Sequence, residues 1–295
     1  MRRREFIAAL GGAAAWPPAM RIGVIGIIAL MLAAVPQAVA EDTATAQPTP
    51  AEPTAVAPYL KPEQRPDIGA ILSLAPQKGS VAFETDRAIF RATRALKGTP
   101  YWELAIHDVR LDLPTLVANF DCALGTSADL ASTPALVRVL SRSLRDTYFA
   151  TDAAKRANKR ARPFTIDDGP VCEPIEHLNS YDYPSGHSTV GWTVGLILAE
   201  LAPDRATDIL VRSRGYAANR VICGAHNQSA VEAGKTVAVA IIAVLHSSPE
   251  FRNDMAEAGA ELAALRKRTE SDPEICKTER EILSGERDLF DRPPF

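Results

Sequence analysis

Aromatic residues are scarce in this chain, 6% of 295, and no stretch of alternating apolar and polar residues bounded by hairpin turns occurs. Both shortages argue against a sheet and leave helix as the default, since Ala, Leu and Arg are plentiful. Positive charge is not in excess either. Lys and Arg number 33 against 36 Asp and Glu, a net −3, so no basic field invites nucleic acid. The four cysteines contain no Cys-x-x-Cys spacing, which removes the usual signature of structural zinc. Long hydrophobic runs are missing as well. The uncharged stretch at 22–35 has fourteen residues, short of the ~20 that a spanning helix needs. What remains is 46% apolar and 23% charged, the proportions of an ordinary globular protein. Disordered chains, collagen-like fibres and polytopic membrane proteins are excluded.

The first forty residues read as an export signal. Arg2, Arg3 and Arg4 open it, Arg21 gives a second positive start, and the apolar stretch ends in Ala38, Val39 and Ala40. The order Arg3, Arg4, Glu5, Phe6, Ile7 also resembles a twin-arginine motif. Cleavage after Ala40 would remove four Arg and one Glu and leave a mildly acidic chain. Residues 41–58 are mostly Thr, Ala and Pro and read as a flexible linker. A folded helical domain is expected at 59–270 and a C-terminal tail at 271–295. An exported, periplasmic chain meets oxidising conditions, so Cys122, Cys172, Cys223 and Cys276 are expected in disulfides. Composition alone leaves all three pairings open.

Past Val81 the pattern is helical almost throughout. Phe83, Ile89, Phe90, Thr93 and Leu96 keep a period near 3.6, and Gly98 stands where a C-terminal cap belongs. A second helix is expected over 134–149, with Leu136, Val137, Leu140 and Leu144 on one face. Residues 187–201 are apolar nearly all round, the mark of a buried helix. Gly191, Gly195 and Ala199 form a small-residue stripe along it, where another helix can approach. Residues 237–245 predict one more apolar helix, and Ser248, Pro249 and Glu250 start another. The expected fold is all-α, a single helical bundle.

Three segments carry charge, His and Gly beyond what packing requires. In KRANKRARP (155–163), Lys155 and Arg162 are seven apart, which on a helix puts both cations on one face. In YPSGH (183–187), Ser185 can cap the buried helix, and the free N–H groups behind it can bind an anion. In NRVICGAHNQS (219–229), Arg220 ends a helix, Gly224 breaks the chain and His226 opens the next helix. Two Arg, one Lys, a Ser hydroxyl and a helix start make a cradle for a tetrahedral dianion. Two histidines beside it supply a nucleophile and a proton donor.

Those segments resemble the signature of the type 2 phosphatidic acid phosphatase superfamily: Lys-x6-Arg-Pro, Pro-Ser-Gly-His and Ser-Arg-x5-His-x3-Asp. The wording YPSGHSTVGW (183–192), LAEL (198–201), RVICG (220–224) and LHSSP (245–249) is most similar to bacterial class A non-specific acid phosphatases. Similarity runs from about Val81 to Ala263. The resemblance implies a helical bundle of the kind shared with vanadium haloperoxidases. It implies a phosphate pocket of Lys155, Arg162, Ser185, the Gly186 N–H and Arg220. His226 would be the nucleophile that forms a phosphohistidine, and His187 the acid for the leaving alkoxide. The family needs no metal or cofactor. Expected partners are small phosphate monoesters, taken with broad specificity, and a second copy of the chain in a homo-oligomer. Neither nucleic acid nor stable membrane association after signal cleavage is expected.

Two positions depart from the pattern: Asn219 stands where the family has Ser, and Ala230 where it has Asp. That Asp would orient the imidazole of His226, lying four residues on and so on the same helix face. Ser229, Asn227 or a main-chain carbonyl is expected to substitute, Glu232 points elsewhere, and restoring Asp at 230 is expected to raise turnover. Alternatives are a vanadium-dependent haloperoxidase, or a protein that only binds phosphate. If the motifs meet around one phosphate, Cys172 and Cys223 lie near one shell of the site, which leaves Cys122 to Cys276. His107 with Asp108 reads as structural, His177 as surface and His246 as a helix C-terminal residue. Asp167 and Asp168 read as a solvated loop.

Overall fold

The buried helix expected after Pro-Ser-Gly-His lies at the centre of the described helices. The computed structural model describes residues 56–268, 270–287 and 289. Among them eleven α-helices follow one another: α1 (Ile68–Ile71), α2 (Val81–Thr93), α3 (Pro100–His107), α4 (Leu113–Ala118), α5 (Asp121–Leu124), α6 (Pro134–Asn158), α7 (Gly186–Leu201), α8 (Ala206–Ile222), α9 (Gln228–Leu245), α10 (Pro249–Arg266) and α11 (Pro273–Arg287). No strand occurs among the described residues, and the all-α expectation holds. The expected signal (1–40) and the linker as far as 55 lie outside the described residues.

Helix α7 packs against α6, α8, α9 and α10. Its Val194, Ile197 and Leu198 are wholly buried, as its uniformly apolar composition requires. The small residues serve the expected purpose. A Cβ on Gly191 would run into the ring of Tyr216, and one on Gly195 into the hydroxyl of Ser213, so α8 lies directly against this seam. A short turn through Pro203–Arg205 connects the two helices. They therefore run antiparallel, and the start of α7 lies beside the end of α8.

Helix α9 closes on the same end. A Cβ on Gly234 would come within 2.6 Å of the Ser185 carbonyl oxygen, and the Ser185 N–H donates to the Ala230 carbonyl at 2.8 Å. By length and composition α9 could cross a membrane, yet Val237, Ala238, Ile241 and Leu245 are buried within the bundle. It is a core helix. Capping follows the sequence: the hydroxyls of Ser80, Ser185 and Ser248 accept from the third residue beyond each, at the starts of α2, α7 and α10. Gly98 takes φ +77°, as a C-terminal cap does.

Two expectations need correction. Helix α6 runs nine residues past the expected end at Phe149 and stops at Asn158, where Lys159 turns left-handed at φ 48°. Lys155 is thus helical, while Arg162 precedes the short 3₁₀ turn Pro163–Thr165. The two cations do not share a helix face; a turn brings them together. The second concerns 271–295, expected as a tail. Residues 273–287 form α11, whose Cys276, Leu283 and Glu286 are buried. Apolar residues spaced along this polar segment gain a helix by packing on α5 and α8. The Cys122–Cys276 disulfide fastens it to α5, with Cα atoms 5.1 Å apart. Cys172 pairs with Cys223 at a Cα separation of 4.7 Å, so both expected pairings are present.

Candidate active site

The antiparallel pair α7 and α8, together with the start of α9 and the end of α6, gathers all three motifs at one end of the bundle. Lys155 leaves the last turn of α6, and its ammonium donates to the Tyr181 carbonyl. Its Cε lies 3.9 Å from where a Cβ on Gly186 would be, which sets it beside the start of α7. Burial, followed by the positive charge of Arg162, pulls the Lys155 ammonium down to about 7. Arg162 spans the second and third segments. Its Nε donates to the Ser180 carbonyl at 2.7 Å and its Nη1 to the Ala225 carbonyl at 2.7 Å. The same Nη1 is 3.2 Å from Nε2 of His226.

Ser185 caps α7 and Gly186 is its first residue, so N–H groups at this end have no partner within the helix. Arg220, in the last turn of α8, is wholly buried. Its Nη2 pairs with Glu173, while Nε and Nη1 have no hydrogen-bond partner. Buried donors of that kind are costly unless a ligand takes them up. His187 Nε2 donates to the Val109 carbonyl at 2.9 Å. Among the described residues, no three His, Cys, Asp or Glu side chains gather to hold a metal ion.

Electrostatics ties these groups together. The imidazoles of His187 and His226 are both held well below the usual range, chiefly by burial. The cations of Arg162, Lys155 and Arg220 push each of them further in the same direction. Two neutral imidazoles therefore sit within the field of three cations at a helix N-terminus. Such a site attracts a dianion and holds a nitrogen lone pair ready to attack.

His226 itself corrects the expected helix geometry. It lies ahead of Asn227, the N-cap of α9, and so precedes the helix. The four-residue spacing to Ala230 therefore gives no common face. None of the expected substitutes orients the ring. Ser229 bonds to Asp86 and Arg160, and Asn227 bonds to Asp182. The partner of His226 Nδ1 is Asp182, at 2.9 Å from Oδ1 and wholly buried. Asp182 stands two residues ahead of Pro184, yet sequence reasoning passed over it. One signal pointed to it: a polar acid between Tyr181 and Tyr183, in a chain missing its acid at 230.

The remaining expectations divide. Asp108 is buried, receives both Nη atoms of Arg212 at 2.6 and 2.9 Å, and also bonds Asn219 at 2.8 Å. It is structural, as read, and it gives Asn219 a packing role. His177 is exposed, and His246 follows the last turn of α9 beside Glu200. Asp167 was read as solvated, but Arg87 and Arg91 bind it, and the two cations draw its carboxylate onto α2.

Known proteins resemble this sequence. The model of the PAP2 superfamily matches residues 136–254, which include all three segments. The chain is 41% identical to an acid phosphatase of Zymomonas mobilis subsp. mobilis over 208 residues, 69% of this chain and 79% of that protein. It is 34% identical to a non-specific acid phosphatase of Providencia stuartii, over 71% of this chain and 86% of that one. With a non-specific acid phosphatase of Salmonella typhimurium the identity is 31%, over 70% and 84%. Identity at that level across most of each relative decides membership: the chain belongs to the PAP2 superfamily, within the family of non-specific acid phosphatases.

Proposed function

We propose that this protein is an exported, metal-independent acid phosphatase that hydrolyses phosphate monoesters of broad structure through a phosphohistidine. The observation that carries the reading is the 3.2 Å approach of Arg162 Nη1 to His226 Nε2, beside the unpartnered donors of Arg220. A guanidinium only donates, so Nε2 presents a lone pair. A phosphoryl group bound by Lys155, Arg162, Arg220, Ser185 and the Gly186 N–H meets that lone pair directly.

In the first step Nε2 of His226 bonds to phosphorus and the ester P–O bond breaks. The departing oxygen takes its proton from His187. With Nε2–H of His187 held by the Val109 carbonyl, that proton comes from Nδ1. In the second step water attacks phosphorus, giving its proton to His187, and the N–P electron pair returns to Nε2. Ester and water become alcohol and inorganic phosphate. Three cations supply the charge stabilisation that Mg²⁺ supplies in many phosphoryl transfers. A dianion among them also cancels the field that keeps His187 neutral, so substrate binding itself favours the protonated acid. Breadth of substrate follows from contacts confined to the phosphoryl group.

The test is hydrolysis of p-nitrophenyl phosphate by residues 41–295, with His226→Ala as control. Turnover that survives EDTA and vanishes in the variant is expected, with a quenched wild-type sample carrying phosphate on the His226 peptide. An equally active His226→Ala protein would overturn the mechanism. Bromide oxidation that depends on added vanadate, without phosphatase turnover, would transfer the site to the haloperoxidase reading.

A further inference from the structure

The missing acid at 230 and the unexpected acid at 182 are linked by packing. Segment 182–185 lies on the first turn of α9: Ser185 N–H donates to the Ala230 carbonyl, and Tyr183 packs with Ala230, Ala233 and Ala75. An acid two residues ahead of Pro184 therefore approaches from the chain that covers position 230. Both sides of the imidazole agree on what it does there. On one side Nδ1 lies 2.9 Å from Asp182 Oδ1, and on the other Nε2 faces the donor Arg162 at 3.2 Å. Since a guanidinium never accepts, Nε2 is the bare nitrogen and Nδ1 carries the proton. Only an acceptor on the Nδ1 side fits that tautomer.

We infer that Asp182 is the positioning residue for the nucleophile His226, replacing from the opposite strand of chain the carboxylate that Ala230 lacks. The inference rests on the phosphatase reading above. Asp182 acts through His226 and touches no substrate. It accepts from Nδ1–H throughout, takes up no proton, and balances the positive ring formed when Nε2 carries the phosphoryl group.

Its own surroundings hold it in place. Oδ1 also accepts from the Asn227 N–H at 3.2 Å, and Oδ2 accepts from Asn227 Nδ2 at 2.9 Å. Arg160 Nε stands 3.5 Å from Oδ2, and the same guanidinium bonds Asp86 and Ser229 at 2.7 and 2.6 Å. Burial pushes the Asp182 carboxyl up, and Arg160, Asn227 and Lys155 oppose that. The small side chain of Ala230 fits the same arrangement. Position 230 is wholly buried against the segment that carries Asp182, and a second buried acid beside the first would resist ionising.

The experiment joins kinetics to spectroscopy. Asp182→Asn and Asp182→Ala are expected to lower kcat for p-nitrophenyl phosphate by at least ~10-fold, and at most the ~10⁴ known for triads. KM and inhibition by inorganic phosphate should move less than about threefold, because phosphate contacts are intact. Ring ¹⁵N spectra of the free wild-type protein should show His226 protonated at Nδ1, and the Asp182→Ala spectrum should lose that preference. A wild-type ring protonated at Nε2 would overturn the inference even if neither variant folded. So would folded variants that keep full kcat. Failure of the wild type to turn over any phosphate ester would instead remove the phosphatase reading, and the ring spectrum would still decide whether Asp182 sets the tautomer.

Discussion

Two buried groups of charge lie within this bundle, and they are built for opposite ends. Around Asp108, anion and cation balance: Arg212 gives Nη1 and Nη2 to the carboxylate and Nε to the Asn119 carbonyl. Around His226 they do not balance, since Lys155, Arg162 and Arg220 crowd together and Arg220 keeps two donors unpartnered. Their residue types are similar; only the surplus differs. A balanced buried pair is fold, whereas a surplus of one sign marks a place where a ligand completes the account.

The largest expected effect breaks this comparison in both directions. Arg212→Met leaves Asp108 buried and unpaired, a change that costs about 3–5 kcal/mol and should appear as a large drop in Tm. Lys155→Met should do the reverse. Because burial already depresses that ammonium to about 7, the folded state gives up charge that the unfolded chain keeps, and losing it should leave Tm at pH 7 unchanged or higher. Turnover should fall by ~10²–10³, the cost of removing one stabilising donor from such a site. A Lys155→Met protein that loses Tm while keeping kcat would undo the distinction.

Next in size is the pH profile. Both imidazoles titrate below the usual range in the free protein, so His226 stays bare in acid and His187 demands acid to be protonated. The kcat/KM bell should therefore peak on the acid side of pH 6.5. The kcat bell should lie higher, because bound dianion offsets the three cations. Coincident bells would show that substrate charge leaves His187 untouched. A third prediction concerns Ala230→Asp. The sequence alone suggested a gain in turnover, but with Asp182 present the new acid should leave kcat unchanged or lower it, within roughly tenfold. A clear gain would mean that Asp182 orients the ring poorly.

The smallest effect sharpens the structural half. Glu286 on α11 is buried, and burial raises its carboxyl from 4.5 to about 8. The folded state then holds a proton that the unfolded chain has released, so stability falls as pH rises towards 8. Glu286→Gln should raise Tm by a few degrees at pH 8 and leave it unchanged near pH 4. Equal shifts at both values would contradict the titration.

Most of the fold was legible in the sequence because helices announce themselves locally. Ser80, Ser185 and Ser248 mark starts, Gly98 marks an end, and Gly191 and Gly195 mark a seam. The errors lie where distance along the chain misleads. Lys155 and Arg162 were joined by helical periodicity, though Lys159 breaks the helix between them. His226 and Ala230 were joined in the same way, although His226 precedes the cap of α9. Asp182 went unseen because its contacts to His226 and Asn227 lie 44 and 45 residues away, and nothing local separates a buried acid from a solvated one. α11 was read as a tail because its sequence is polar, and only the partner surface shows which few residues it hides.

The glycine seam between α7 and α8 works like the pivot of a calliper. One jaw carries Ser185, Gly186 and His187, the other carries Arg220, and the close contact of Gly191 with Tyr216 and Gly195 with Ser213 fixes how far they open. In the proposed reaction, what the jaws measure is a tetrahedral anion. A side chain larger than glycine at 191 or 195 would wedge the jaws apart and spoil that gauge, however well the rest of the bundle folded.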